Sequence, residues 1–157
     1  MNLEIERKFL VKNDSFKRKA FQKKHIKQGF LNSDKERTVR VRIIDDKAFL
    51  TVKGKSNNAG TIRFEWEKEI PVLEAEQLML LTEKTAIEKD RYYVKEESHI
   101  FEVDEFFGAN VGLIIAEVEL TTENEFFSKP SWLGKEVTGE IKYYNSSLSR
   151  SPFQFWA

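Results

Sequence analysis

The 157-residue chain contains no cysteine, which excludes a disulfide framework and a thiolate metal site. Histidine occurs only twice, at 25 and 99, with no metal-ligand spacing, so both read as surface or strand-end residues. Proline occurs three times, at 71, 130 and 152, each between recognisable segments, and no Pro-, Gly- or Ser-rich linker interrupts the chain. One domain over 1–157 is expected. No apolar run approaches the roughly 20 residues that a membrane helix needs, and no signal peptide precedes LEIERKFL. A soluble cytoplasmic protein is therefore expected. An excess of one charge is missing too: 26 basic and 26 acidic residues balance to zero. That argues against a non-specific nucleic-acid binder, which would be basic. A basic site offset by acids elsewhere stays open.

What the chain does have is charge, 33% of residues, set in an alternating pattern. Strand-like runs lie near 3–10, 26–31, 37–44, 47–53, 61–70, 86–95, 99–106 and 112–121. Asp45-Asp46 and the stretch from Gly54 to Gly60 supply turn chemistry. Helical readings suit 14–24, capped by Asn13 or Asp14, and 74–84, where Leu73, Leu78, Leu80 and Leu81 make an apolar stripe. Shorter helices are expected near 123–128 and 143–149. The fold class is α+β, predominantly antiparallel β, with about eight strands closing into a barrel flanked by helices.

In LEIERKFL, Glu4, Glu6 and Lys8 oppose Leu3, Ile5 and Phe9. The same alternation sets Arg40 and Arg42 in TVRVRI against Val39, Val41 and Ile43, and Lys53 against Val52. It sets Arg63, Glu65, Glu67 and Glu69 against Ile62, Phe64, Trp66 and Ile70. Glu102 and Asp104 oppose Phe101 and Val103, and Glu117 and Glu119 oppose Ala116 and Val118. Lys89 and Arg91 share a face whose opposite side is not apolar, so that strand fits less well. A solvated outer face explains any one of these strands. The set is harder to explain that way, because like charges two apart on a strand lie roughly 7 Å from each other and repel. With these faces turned inward, the lumen must hold something that complements both signs. Rows of Arg and Lys suit a polyanion. Clustered carboxylates without Cys suit a hard divalent cation, Mg²⁺ or Mn²⁺. Together they describe a metal-bound polyphosphate. An apolar outer face would also suit an outer-membrane barrel, but the missing aromatic girdles and the helices available to cover the outside favour a tunnel in water.

The chain resembles the triphosphate tunnel metalloenzymes, the CYTH superfamily. EIERK matches the Glu-x-Glu-x-Lys signature, followed in order by QGFL, TVRVRI, LTVKG, RFEWE, EKDRYYV, FEVDEF, AEVEL and PSWLGKEVTGEIKYYNSSL. The resemblance implies an eight-stranded tunnel in which Arg40, Arg42, Lys53, Lys89 and Arg91 grip phosphate oxygens and Lys8 contacts the departing phosphoryl group. It implies metal ligation by Glu4, Glu6, Glu117 and Glu119, with Glu65, Glu67 and Asp104 as further lumen acids. Catalysis would fall to Lys8, Glu4, Glu6 and Glu119 through metal-assisted attack of water on a terminal phosphorus. One position departs: several relatives that hydrolyse inorganic triphosphate carry a tyrosine after Gln-Gly, where this chain has Phe30.

The activity implied is hydrolysis of inorganic tripolyphosphate, with nucleoside triphosphates as secondary substrates. Thiamine triphosphate hydrolysis and cyclisation of ATP are the enzymatic alternatives, and a polyphosphate-binding module without turnover is the non-catalytic one. The expected partner is a small triphosphate, with no nucleic acid and no membrane. Trp132 and the tail PFQFW read as packing, with a homodimer contact as the alternative. The run KRKAFQKK reads as a solvated helix face.

Overall fold

The computed structural model describes residues 3–83 and 86–156. Nine strands run through it: β1 (Leu3–Val11), β2 (Ala20–Asp34), β3 (Arg37–Ile44), β4 (Lys47–Gly54), β5 (Ile62–Ile70), β6 (Ile87–Glu96), β7 (His99–Phe106), β8 (Ile114–Glu119) and β9 (Leu133–Glu136). The helices are α1 (Phe16–Lys19), α2 (Val72–Met79) and α3 (Asn145–Arg150), with 3-10 turns at Gly108–Asn110, Ile141–Tyr143 and Phe153–Phe155. Neighbours follow the order β5-β4-β3-β2-β6-β7-β8-β1-β9, and β5 also pairs with β1. Strands β1 to β8 therefore close into the expected antiparallel barrel, with β9 added outside the ring.

Closure depends on β1, which shares one edge between two neighbours. Leu3–Ile5 pair with β5, whereas Phe9 and Val11 pair with Glu136 and Leu133 of β9. Its other edge, Glu6 to Leu10, pairs with β8. Where the shared edge changes partner, Glu6 N donates to Thr61 O and Val137 N donates to Lys8 O. There Lys8 N donates to Thr138 Oγ1. The backbone beneath Glu4, Glu6 and Lys8 is thus tied on both sides.

The apolar residues form three clusters, two on the outward strand faces and one that fills the inside of the barrel at one end. Phe9, Phe16, Phe101, Val118 and Trp132 pack under α1 and the segment preceding β9. Phe30, Ile87, Phe106, Leu113 and Leu148 pack at the barrel end that α3 covers. Val41, Ala48 and Ala75 pack under α2. Trp132 is fully buried, its ring 5.6 Å from Phe101 and 5.8 Å from Phe16.

Several expectations need correction. Only Phe16–Lys19 of 14–24 is helical; β2 begins at Ala20, so KRKAFQKK runs through a short helix into a strand rather than along one helix face. From Ala20 onward β6 offers this stretch a partner edge, and sheet pairing overrides its helical composition. The second helix runs Val72–Met79, started by Pro71, and residue 84 lies outside the described residues. Its buried side is Ala75, while Leu73, Leu80 and Leu81 are exposed rather than forming a packed stripe. The segment 123–128 is a turn followed by irregular chain, not a helix, and the region 143–149 divides into a 3-10 turn and α3. The short strand β9 was not expected. On the dry side of β1, Phe9 is buried and Ile5 packs beside it, but Leu3 is 53% exposed.

Replacing Trp132 by alanine should lower the unfolding free energy by about 3–5 kcal/mol. A shift of the urea midpoint with an unchanged denaturant slope is the expected reading.

Candidate active site

Because side chains alternate along a strand, one face of each barrel strand turns into the lumen. It encloses a cavity of about 230 Å³. β1 supplies Glu4, Glu6 and Lys8; β3 supplies Thr38, Arg40 and Arg42; β4 supplies Thr51 and Lys53. Arg63 and Glu65 come from β5, Lys89 and Arg91 from β6, Glu102 from β7, and Glu117 and Glu119 from β8. Eleven of the expected site residues thus share one cavity. The other two, Glu67 and Asp104, do not line it. Glu67 accepts from Thr51 Oγ1 at 2.7 Å and from Arg42 Nη2 at 3.3 Å near the cavity's edge.

Asp104 is on the inward face too, but it is buried beside Lys89 and Arg91 and acts as their counter-ion. It is 2% exposed and takes Arg91 in a two-pronged bond, Nε to Oδ1 at 2.8 Å and Nη2 to Oδ2 at 2.9 Å. Lys89 Nζ reaches its Oδ2 at 2.7 Å. Burial pushes Asp104 up, but Arg91 and Lys89 outweigh it and hold the carboxyl below its ordinary value. Burial also brings the Lys89 ammonium down to about 8 against the pull of Asp104, so Lys89 remains cationic at neutral pH.

Four of the six lumen acids come as two hydrogen-bonded pairs. Glu4 is held by Lys53 Nζ at 2.8 Å and by Glu65. Burial raises Glu4, yet Lys53 and the Glu65 hydrogen bond keep it below its usual value. Glu65 takes the proton: burial and the bond to Glu4 push it up to about 7. In the second pair, burial and the charge of Glu117 raise Glu6 well above the carboxylate range. Burial opposes ionisation of Glu117, but Lys8 and the Glu6 hydrogen bond hold it far below that range. Two acids that share a proton are what mutual repulsion produces when no cation stands between them. Among the described residues no three His, Cys, Asp or Glu side chains form a preassembled metal cluster. The donors are nonetheless all carboxylate oxygens, each pair being held by a displaceable proton, and this set fits a hard divalent cation.

The cations show the complementary need. Arg40 Nε, Arg42 Nε and Arg63 Nη2 are buried without a hydrogen-bond acceptor in the protein. Leaving a charged donor unmet costs at least about 1–3 kcal/mol, so the site is built for an oxyanion. Burial, with Arg40 and Arg91 close by, brings the Arg42 guanidinium down to about 9. Seven basic side chains line the cavity against six acidic ones, and with Glu6 holding its proton the lumen is net cationic.

Phe30 lines the cavity at 4% exposure and packs with the cluster under α3, offering only ring contact. Arg63 and Glu102 were legible in the alternation but not singled out. Tyr144, Asn145 and Ser146, which close one part of the cavity, carried no strand pattern that would have marked them. Asn145 Oδ1 accepts from Gln28 Nε2 at 2.7 Å and from Lys89 Nζ at 2.8 Å. His25 lies outside the lumen, bonded to Asp90 and Glu88, and His99 bonds Glu125.

Comparison with known proteins sets this geometry in context. The family model for the CYTH domain matches residues 2–151. A protein of Acetivibrio thermocellus named inorganic triphosphatase is 48% identical over 155 residues, covering 98% of this chain and 97% of the relative. One of Nitrosomonas europaea with the same name is 35% identical, covering 94% and 97%. A crystal structure of an inorganic triphosphatase superposes with a TM-score of 0.66 at 33% identity, over 93% of this chain and 97% of that one.

Glu65 keeps its proton to about pH 7 when folded but loses it near 4.5 when unfolded. Its contribution to stability is therefore present below about 4.5 and lost as pH rises through 7. In metal-free protein the melting temperature should fall over that window relative to Glu65→Gln, in which this slope is gone.

Proposed function

The chain belongs to the CYTH domain family, and we propose that it hydrolyses inorganic tripolyphosphate in its tunnel with Mg²⁺ or Mn²⁺. The observation that carries this reading is the pairing, in one cavity, of buried guanidinium donors lacking acceptors with carboxylates that share protons. A triphosphate would supply the acceptors, and the carboxylates would exchange their shared protons for a divalent cation. The two relatives named inorganic triphosphatase support the choice of substrate.

Arg40 and Arg42, which line the cavity, bind phosphate oxygens with their guanidinium groups. Lys53 and Lys89 add charge from opposite walls. Arg91 is held rigid by Asp104, so its remaining edge is preorganised toward the lumen. Lys8 meets the phosphoryl group that leaves. Glu4, Glu6, Glu117 and Glu119 would hold the metal, which would supply neutralisation of triphosphate charge and acidification of a water. With its proton displaced, one of these carboxylates accepts a proton from the attacking water. Catalysis is then mostly positioning and charge stabilisation, which needs no side-chain nucleophile. The same reading takes the chain as one cytoplasmic domain acting on a small molecule.

Orthophosphate release from tripolyphosphate with Mg²⁺ or Mn²⁺, and none with chelator, is the expected result. No release with either metal overturns the reading and leaves a binding module. A panel adding ATP, thiamine triphosphate and pyrophosphate separates the enzymatic alternatives. Glu4→Gln and Glu117→Gln should each lower kcat about 100-fold or more with the melting curve intact, the scale seen when one charge-stabilising group is removed. Arg40→Ala should raise KM as well as lower kcat.

A further inference from the structure

We propose that Tyr144 is a positioning residue for Lys8, and that the ring rather than the hydroxyl does the positioning; the inference rests on the triphosphatase reading of the lumen. Lys8 is 7% exposed, a setting in which an ammonium group needs compensation. Its ion-pair partner, Glu117 Oε1, is 4.0 Å away, beyond hydrogen-bond reach. The face of the Tyr144 ring lies much better placed, its centroid 4.8 Å from Lys8 Nζ. That is cation–π geometry. The same ring stands 5.7 Å from the Arg63 guanidinium, whose Nη2 has no acceptor. One aromatic ring therefore serves two cations at the same part of the cavity.

The hydroxyl is turned elsewhere. It lies 3.5 Å from Ser56 Oγ, in the connection between β4 and β5. The backbone that carries the ring is held by its C-terminal neighbours. Asn145 is anchored by Gln28 and Lys89, and Leu148 is fully buried at the barrel end. Chemically, the ring has an advantage over a carboxylate in the same place. A carboxylate would accept the Lys8 N–H donors and compete with a phosphoryl oxygen for them. An aromatic face steadies the charge and leaves donors for the substrate.

The test uses Tyr144→Phe against Tyr144→Leu, with Tyr144→Met as a second non-aromatic variant should the leucine variant not fold. The first readout needs no activity: the Lys8 Cε proton resonances, assigned by their loss in Lys8→Arg. These should be displaced upfield by the ring in wild type and Tyr144→Phe, and return to ordinary lysine values in the non-aromatic variants. The second readout is tripolyphosphate hydrolysis. Tyr144→Phe should stay within about twofold of wild type, while Tyr144→Leu or Tyr144→Met loses about tenfold in kcat with KM little changed, the size of one cation–π contact. Equal loss in the phenylalanine and leucine variants overturns the proposal by assigning the work to the hydroxyl. Undisplaced Lys8 resonances in wild type, or full activity without the ring, overturn it too. Failure of wild type to hydrolyse tripolyphosphate would instead sink the functional reading, and the resonance comparison would still decide the contact.

Discussion

The constraint on which the rest depends is mutual repulsion of like charges inside a narrow, partly dry lumen. Thirteen charged side chains, seven basic and six acidic, face a cavity of about 230 Å³. In that setting an unpaired ion is expensive, and the fold answers in three ways. Asp104, buried beside them, neutralises Lys89 and Arg91. Carboxylates share protons in the pairs Glu4/Glu65 and Glu6/Glu117. Some cations, Arg40 and Arg42 above all, keep buried donors unmet. The first device is permanent and structural. The other two are provisional, and on the proposed reading they are where a metal–triphosphate complex would find room for its charges.

This division explains why two of the expected acids stand apart. Asp104 and Glu67 share the inward alternation of their strands, and alternation by itself cannot tell a counter-ion from a ligand. Asp104 sits opposite Arg91 in the β6–β7 register, so a two-pronged bond forms across the strands. Glu67 sits opposite Thr51 and is drawn to the Arg40 and Arg42 side. Cross-strand neighbours decide each case, and one sequence does not display which residues face each other.

Where period-two alternation is strong, the sequence was a good guide: seven of the eight expected strands begin and end within two residues of those observed, and their charged faces form the lumen. It was a poor guide where tertiary contacts overrode local preference. The lysine-rich stretch before His25 looks helical by composition, yet it joins the sheet along the edge of β6. The four-residue β9 is too short to carry a period and exists because the free edge of β1 needs covering. Tyr144 and Asn145 were hidden for a similar reason. They reach the lumen from a chain segment whose packing, through Leu148, is set by the barrel end and not by any repeat in its own residues.

The seam at β1 has a consequence for how the molecule is assembled. The strand bearing Glu4, Glu6 and Lys8 must find β5 some 60 residues away, β8 more than 100 away and β9 further still. Contacts of such separation form late, because loop closure must precede them. Opposing charges on neighbouring strands, such as Arg91 and Asp104, can meet within a hairpin, whereas those of β1 meet their counterparts only when the ring shuts.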